Sequence, residues 1–204
     1  CEPEALRRAE AAARPALSTR LAAGHSTEGE DTFALYLRGV LARLPEPPEP
    51  EAAAALAAAL TPVLRVPGRA DRLWSRLLPG VRGALDAFRT MGLRLVVVSN
   101  ADGSVERGLR AAGVRAFFDA VVDSAHVGFE KPDPRIFTHA LRGVGAEASR
   151  TLHVGDLYHA DVEGARAAGL HALLLDPWND WPEPDCERLP DLAALAARLR
   201  KARR

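Results

Sequence analysis

Five polar residues between positions 99 and 161 of this chain stand in or beside the loops that follow apolar runs, and their types make one chemical kit. Ser99 and Asn100 follow the run Leu93 to Val98, while Gly155 and Asp156 follow Thr151 to Val154, with Asp161 completing a Gly-Asp-x-x-x-x-Asp arrangement. Lys131 lies in Glu130-Lys131-Pro132-Asp133-Pro134. A hydroxyl and turn amides at a strand end can hydrogen-bond phosphate oxygens. A lysine brings a compact positive charge to a phosphoryl group or a carboxylate. Asp156 offers a hard oxygen to magnesium, which keeps several waters and takes only one or two carboxylates. Asp161, one helical turn further on, is placed to orient Lys131 or a metal-bound water. Together these residues describe phosphoryl transfer.

Such residues act only if a scaffold brings them together, and the apolar pattern predicts one. Leu93 to Val98, Ala120 to Val122, Thr151 to Val154 and His171 to Leu175 are continuous apolar runs, as expected of strands buried on both faces. Helical stretches alternate with them at Val81 to Met91, Val105 to Ala112, Pro134 to Val144 and Ala160 to Ala168. Gly92, Gly113, Gly145 and Gly169 each follow a helix, where a C-terminal cap belongs. The rhythm predicts an α/β fold, a doubly wound parallel sheet whose ligands bind outside the carboxyl ends of the strands. Ahead of it the pattern is helical: Glu4 to Ala13, Asp31 to Leu44 with Phe33, Leu37, Val40, Leu41 and Leu44 on one stripe, and Glu51 to Leu60. We therefore divide the chain into a small helical unit, residues 1–75, and an α/β core, residues 76–204. A loop with Trp181, Pro182 and Pro184 leads into a last helix, Asp191 to Leu199.

Composition narrows the function classes. The 204 residues are 48% hydrophobic and 26% charged, enough for one sizeable core with a small accessory unit. Lys+Arg and Asp+Glu both number 27, and no basic face stands out, which disfavours nucleic acid as a partner. No apolar run approaches the roughly 20 residues of a bilayer span. Cys1 and Cys186 have no metal-ligand spacing and suit a reducing interior, so a cytoplasmic location is expected, and no signal-peptide pattern is present. Only Lys131 and Lys201 are lysines among the 27 basic residues, so a lysine at position 131 is an unusual choice for this chain.

The series Val97-Val98-Ser99-Asn100, then Glu130-Lys131-Pro132-Asp133-Pro134-Arg135-Ile136-Phe137, then His153-Val154-Gly155-Asp156 through Asp161-Val162-Glu163-Gly164-Ala165 and Ala168-Gly169, resembles motifs two, three and four of the haloacid dehalogenase-like hydrolase superfamily. The resemblance covers about half the chain. It implies a phosphate-holding role for Ser99, with Asn100 beside it, a phosphate-binding and catalytic role for Lys131, a magnesium-ligand role for Asp156, and the second acidic, catalytic position for Asp161. It implies that residues 1–75 form the helical cap of one branch of the family. The expected function is a magnesium-dependent phosphatase acting on a small phosphorylated metabolite through a phospho-aspartate. Two other readings stand beside it: a 2-haloacid dehalogenase, against which Gly155-Asp156 followed by Asp161 argues, and an inactive module of the same fold that only binds.

The family's first motif, an apolar strand ending in Asp-x-Asp that bears the nucleophile, is not found in residues 1–78. In this fold that strand lies between the ones ending at Ser99 and Val154, so without it the strands should fall into two separate pairs with unpaired backbone groups facing each other. We expect the strand to precede Cys1, which is not a Met, and expect the 204 residues alone to be catalytically silent. Several residues have blander readings. His153, inside an apolar run, reads as a core histidine; Trp74, Trp178 and Trp181 read as packing anchors; Asp176 reads as a strand-end residue; Tyr158 and His159 lie near the expected mouth.

Overall fold

The computed structural model describes residues 2–202. Alanine, leucine, glutamate and arginine, all good helix formers, dominate the start of the chain. They form α1 (Pro3–Ala22), α2 (Glu30–Leu41), α3 (Pro50–Leu64) and the single turn α4 (Ala70–Leu73). Pro3 and Pro50 sit in the first turns of α1 and α3, where a missing N–H costs nothing. α1 runs well past the expected Ala13, through Pro15, although proline removes a ladder bond. Packing outweighs that loss: Ala9, Ala13 and Leu17 rest on Phe33, Tyr36 and Val40 of α2.

The elements that follow alternate as the apolar runs predict: α5 (Val81–Thr90), β1 (Val96–Ser99), α6 (Val105–Ala111), β2 (Ala120–Asp123), α7 (Ser124–Val127), α8 (Pro134–Val144) and β3 (Leu152–Gly155). A π-helical stretch, Tyr158–Glu163, then runs into α9 (Gly164–Ala167), so the helix expected from Ala160 is wound more loosely and starts earlier. β4 (His171–Leu175), β5 (Glu187–Leu189) and α10 (Leu192–Ala202) complete the order. β5 has no apolar run to announce it, since Glu187 and Arg188 make up most of it, and pairing with β4 creates it. The expected caps Gly92, Gly113, Gly145 and Gly169 all take positive φ, a conformation glycine adopts without steric cost.

All pairings are parallel. β1 pairs with β2, with Ser99 opposite Asp123. β4 pairs with β3 on one side and β5 on the other. Among the described residues no ladder joins β1 to β3, so the strands form a two-stranded and a three-stranded sheet. Helices cover both faces. Leu85 and Phe88 of α5 and Leu195 of α10 pack with Val154, Leu173 and Leu175, while Ile136 and Phe137 of α8 pack with Val96, Val98, Val122 and Ala172. This is an α/β doubly wound arrangement with parallel strands. Among the described residues no helix is long and apolar enough to cross a membrane.

Candidate active site

The loop leaving β1 is held by residues at the end of β2. The buried Asp123 carboxylate accepts from the backbone N–H of Gly103 and Val105, and the Ser124 hydroxyl bonds both the N–H and the carbonyl of Ala101. Parallel register puts Asp123 beside Ser99, so the sheet itself anchors the turn that starts there. Among the described residues Ser99 Oγ has only a 3.5 Å contact to the Asn100 carbonyl, which leaves its hydroxyl available to a ligand. Asn100 clamps the lysine loop: its Nδ2 donates to the Lys131 carbonyl at 2.8 Å and its Oδ1 accepts from the Lys131 N–H at 2.6 Å.

Lys131 and Asp161 form a buried ion pair. Nζ donates to Oδ1 at 2.6 Å, and the two side chains are 13% and 3% exposed. His153 Nε2 stands 2.9 Å from the same oxygen, and its ring meets Phe137 edge-on. The other oxygen of Asp161 accepts the backbone N–H of Asp156 at 3.0 Å and of Leu157 at 2.9 Å. Burial by itself would raise this carboxyl, but Lys131 and His153 outweigh it and hold Asp161 far below the usual range. Two glycines make the arrangement possible. A Cβ on Gly155 would lie 2.1 Å from Asp161 Cγ, and one on Gly164 would lie 2.7 Å from Pro132 Cα. The aspartate therefore packs directly over the end of β3, and the helix start packs directly on the lysine loop.

Asp156 faces the opening above this pair. Almost half its side chain, 45%, is exposed to the cavity, and Arg14 of α1 reaches it at 3.1 Å. Its dense surroundings still push the carboxyl above the usual range: burial acts first, Asp161 and Glu10 add to it, and Arg14 and Lys131 oppose it. Arg14 is tied to Glu10 by two bonds of 3.0 and 2.6 Å, and Glu10 also accepts the Tyr36 hydroxyl at 2.8 Å. Burial works against the charge of Arg14, but Asp156 and Glu10 outweigh it and keep the guanidinium protonated. From the loop before α2, the Ser26 and Thr27 hydroxyls both donate to Glu130, the neighbour of Lys131, at 3.0 Å.

Ser99, Asn100, Lys131, Asp156 and Asp161 thus share one cavity of about 670 Å³, together with Glu10, Arg14, Phe33, Tyr36, Arg65 and Trp74 from the helical segment. The structure brings together all five residues singled out in the sequence. A larger concavity of about 750 Å³ lies at the opposite, amino end of β3 and β4, beside Thr151, Leu152 and His171, and holds none of them. Two residues near the expected mouth point elsewhere: Tyr158 bonds Asp185 and His159 pairs with Glu163 at 2.5 Å. Trp181 is buried against Tyr158, Trp178 is 37% exposed and Trp74 is 61% exposed. Asp176 holds the backbone of Asp180 and Trp181 past the end of β4. Sequence reasoning missed Arg14, Glu10 and the contact of His153 with Asp161. Arg14 is one of many arginines on an alanine-rich helix, and nothing in its neighbours marks it.

Comparison with known proteins bears on the fold and the family. The chain is 42% identical over 130 residues to the human haloacid dehalogenase-like hydrolase domain-containing protein 3, covering 61% of this chain and 52% of that protein. It is 39% identical over 102 residues to a glyceraldehyde 3-phosphate phosphatase of Methanothermobacter thermautotrophicus, covering 50% of this chain and 45% of that one. The chain therefore spans about half the length of the curated relatives it matches. Its fold is similar to the crystal structure of a HAD phosphatase from Thermococcus onnurineus, with a TM-score of 0.59 at 22% identity over 71% of this chain and 69% of the other. The haloacid dehalogenase-like hydrolase family model matches residues 3–169, most of the chain, and the chain belongs to that family.

Proposed function

We propose that the protein carrying this chain is a magnesium-dependent phosphatase of small phosphorylated metabolites, with residues 1–75 acting as a helical cap over the core of residues 76–204. The observation that carries the reading is the Lys131–Asp161 pair, buried at the bottom of a cavity that also holds Ser99 and Asp156. A phosphatase among the similar proteins supports it. In this reading Ser99 donates its hydroxyl to a phosphoryl oxygen, and Lys131 places its charge against the same group while Asp161 fixes the ammonium. Asn100 holds the backbone of Lys131 at that position.

The donor chemistry of the cavity fits a divalent cation as far as this chain supplies it. Glu10, Glu28, Glu30, Asp102, Asp156 and Asp161 line the cavity against only Arg14, Arg65 and Lys131, so an incoming dianion needs further positive charge. Of the two carboxylates that follow β3, Asp161 has both oxygens engaged, which leaves Asp156 as the ligand in this reading. No group of three His, Cys, Asp or Glu side chains able to hold a metal occurs among the described residues, so the remaining ligands are water and groups outside this chain. A bound magnesium would offset phosphoryl charge. The attacking carboxylate, which would form the phospho-aspartate, belongs in this reading to a strand outside these residues and between β1 and β3. The cap excludes water and selects the substrate.

The test is turnover of an aryl phosphate by the full protein with and without magnesium. Lys131→Met should lower kcat/KM by about 10²- to 10³-fold, as removal of a charge-stabilising donor does, and chelation should abolish turnover. The 204 residues alone should be silent. Full activity in Lys131→Met, or activity indifferent to chelation, overturns the proposal.

A further inference from the structure

We propose that Arg14 is a substrate-binding residue, supplied to the phosphoryl site by α1 and held on Asp156 until a divalent cation takes that carboxylate; this rests on the phosphatase reading above. Arg14 is separated from Asp156 by most of the chain, yet its Nη1 lies 3.1 Å from Asp156 Oδ2. The orientation of the guanidinium does not depend on that contact. Its Nε and Nη2 are gripped by both oxygens of Glu10, at 3.0 and 2.6 Å, and the Tyr36 hydroxyl holds Glu10 in turn. When a cation occupies Asp156, the Glu10 tether stays and Nη1 is released without moving away.

The released nitrogen needs an anion. Arg14 is only 17% exposed, so an Nη1 donor left without an acceptor there is unfavourable even while Glu10 holds the other two nitrogens. Ser99 and Lys131 line the same cavity, so the nearest acceptor brought by a substrate is the phosphoryl group they hold. A planar guanidinium suits phosphate oxygens better than an ammonium does. Arg14 therefore has two alternative partners, the carboxylate of Asp156 and the oxygens of a phosphate ester. Cation and substrate would exchange one for the other, and the site would be completed by a charge the core does not carry.

Isothermal titration of the full protein tests this, with magnesium alone and then with inorganic phosphate at saturating magnesium. Arg14→Gln should bind magnesium about fivefold more tightly, since a competitor for Asp156 is gone, and phosphate about tenfold more weakly. Arg14→Lys, which keeps the charge and loses the fork, should fall between wild type and Arg14→Gln in both titrations. Arg65→Gln removes another cation of the same cavity, one paired with Glu28 at 2.9 Å, and should change either affinity by less than about twofold. Unchanged or weaker magnesium binding in Arg14→Gln, unchanged phosphate binding, or an equal shift in Arg65→Gln overturns the role of Arg14. A wild-type protein that binds neither ion overturns the phosphatase reading itself, whereas wild-type binding of both with Arg14→Gln unmoved overturns this inference alone.

Discussion

Replacing Asp161 by asparagine keeps the shape of the side chain and removes the charge on which the candidate site converges. Lys131 would keep its ammonium in a place where it is only 13% exposed and would have no carboxylate beside it. Breaking a buried pair by removing one partner costs about 3–5 kcal/mol, because the remaining charge stays desolvated. The asparagine amide adds a second conflict. One end of the side chain must accept the N–H groups of Asp156 and Leu157, and the other must accept from Lys131. An amide has only one acceptor end, so one contact becomes donor against donor. In a domain of this size the loss lowers the melting temperature by about 6–20 °C. Calorimetry on Asp161→Asn measures it, and Lys131→Met combined with Asp161→Asn should restore at least half of the lost stability, since no lone charge is left buried. The pH dependence provides a second readout. The folded carboxyl lies below its ordinary value of 3.8, so the stability it contributes is complete above that pH and is lost as pH falls towards the depressed folded value. Asp161→Asn should therefore flatten the stability curve between about pH 4 and pH 2. A loss under about 1 kcal/mol, the range of surface pairs, or a double variant no more stable than the single one, refutes the reasoning.

Gly155→Ala places a methyl group 2.1 Å from Asp161 Cγ and should cost about 2–3 kcal/mol by forcing the aspartate off β3. Gly83→Ala, where a Cβ meets nothing within 4 Å, should be neutral or stabilising by up to about 1 kcal/mol; denaturant titration measures both variants, and equal effects of the two would show that contact with Asp161 is not the cause. Asn100→Ala removes both bonds that clamp the backbone of Lys131 and should destabilise by about 1–3 kcal/mol. It should also lower kcat/KM for an aryl phosphate while leaving magnesium affinity unchanged, and an unaltered kcat/KM would show that Lys131 is placed by other contacts.

Local pattern alone determines the α/β core of this protein and marks the five polar residues that line the candidate site. Apolar runs such as Val96 to Val98 and His171 to Leu175 hide both faces, and that demand is written in the residues themselves. Ser99 and Asp156 are legible because they stand where such runs stop, and Lys131 because lysine is scarce here. The missing Asp-x-Asp strand predicts two separate strand pairs; among the described residues the strands do fall into two sheets, one the pair β1–β2 and the other extended to three strands by β5. Other features were decided by tertiary structure. β5 is a strand because β4 offers it a ladder, and α1 passes Pro15 because α2 lies against it. The partner of Asp156 was equally hidden, since a long arginine on an amphipathic helix reaches whichever carboxylate the fold brings near. Sequence periodicity encodes which face of an element is buried, whereas the identity of the charge across a cavity depends on how distant segments of the chain pack together.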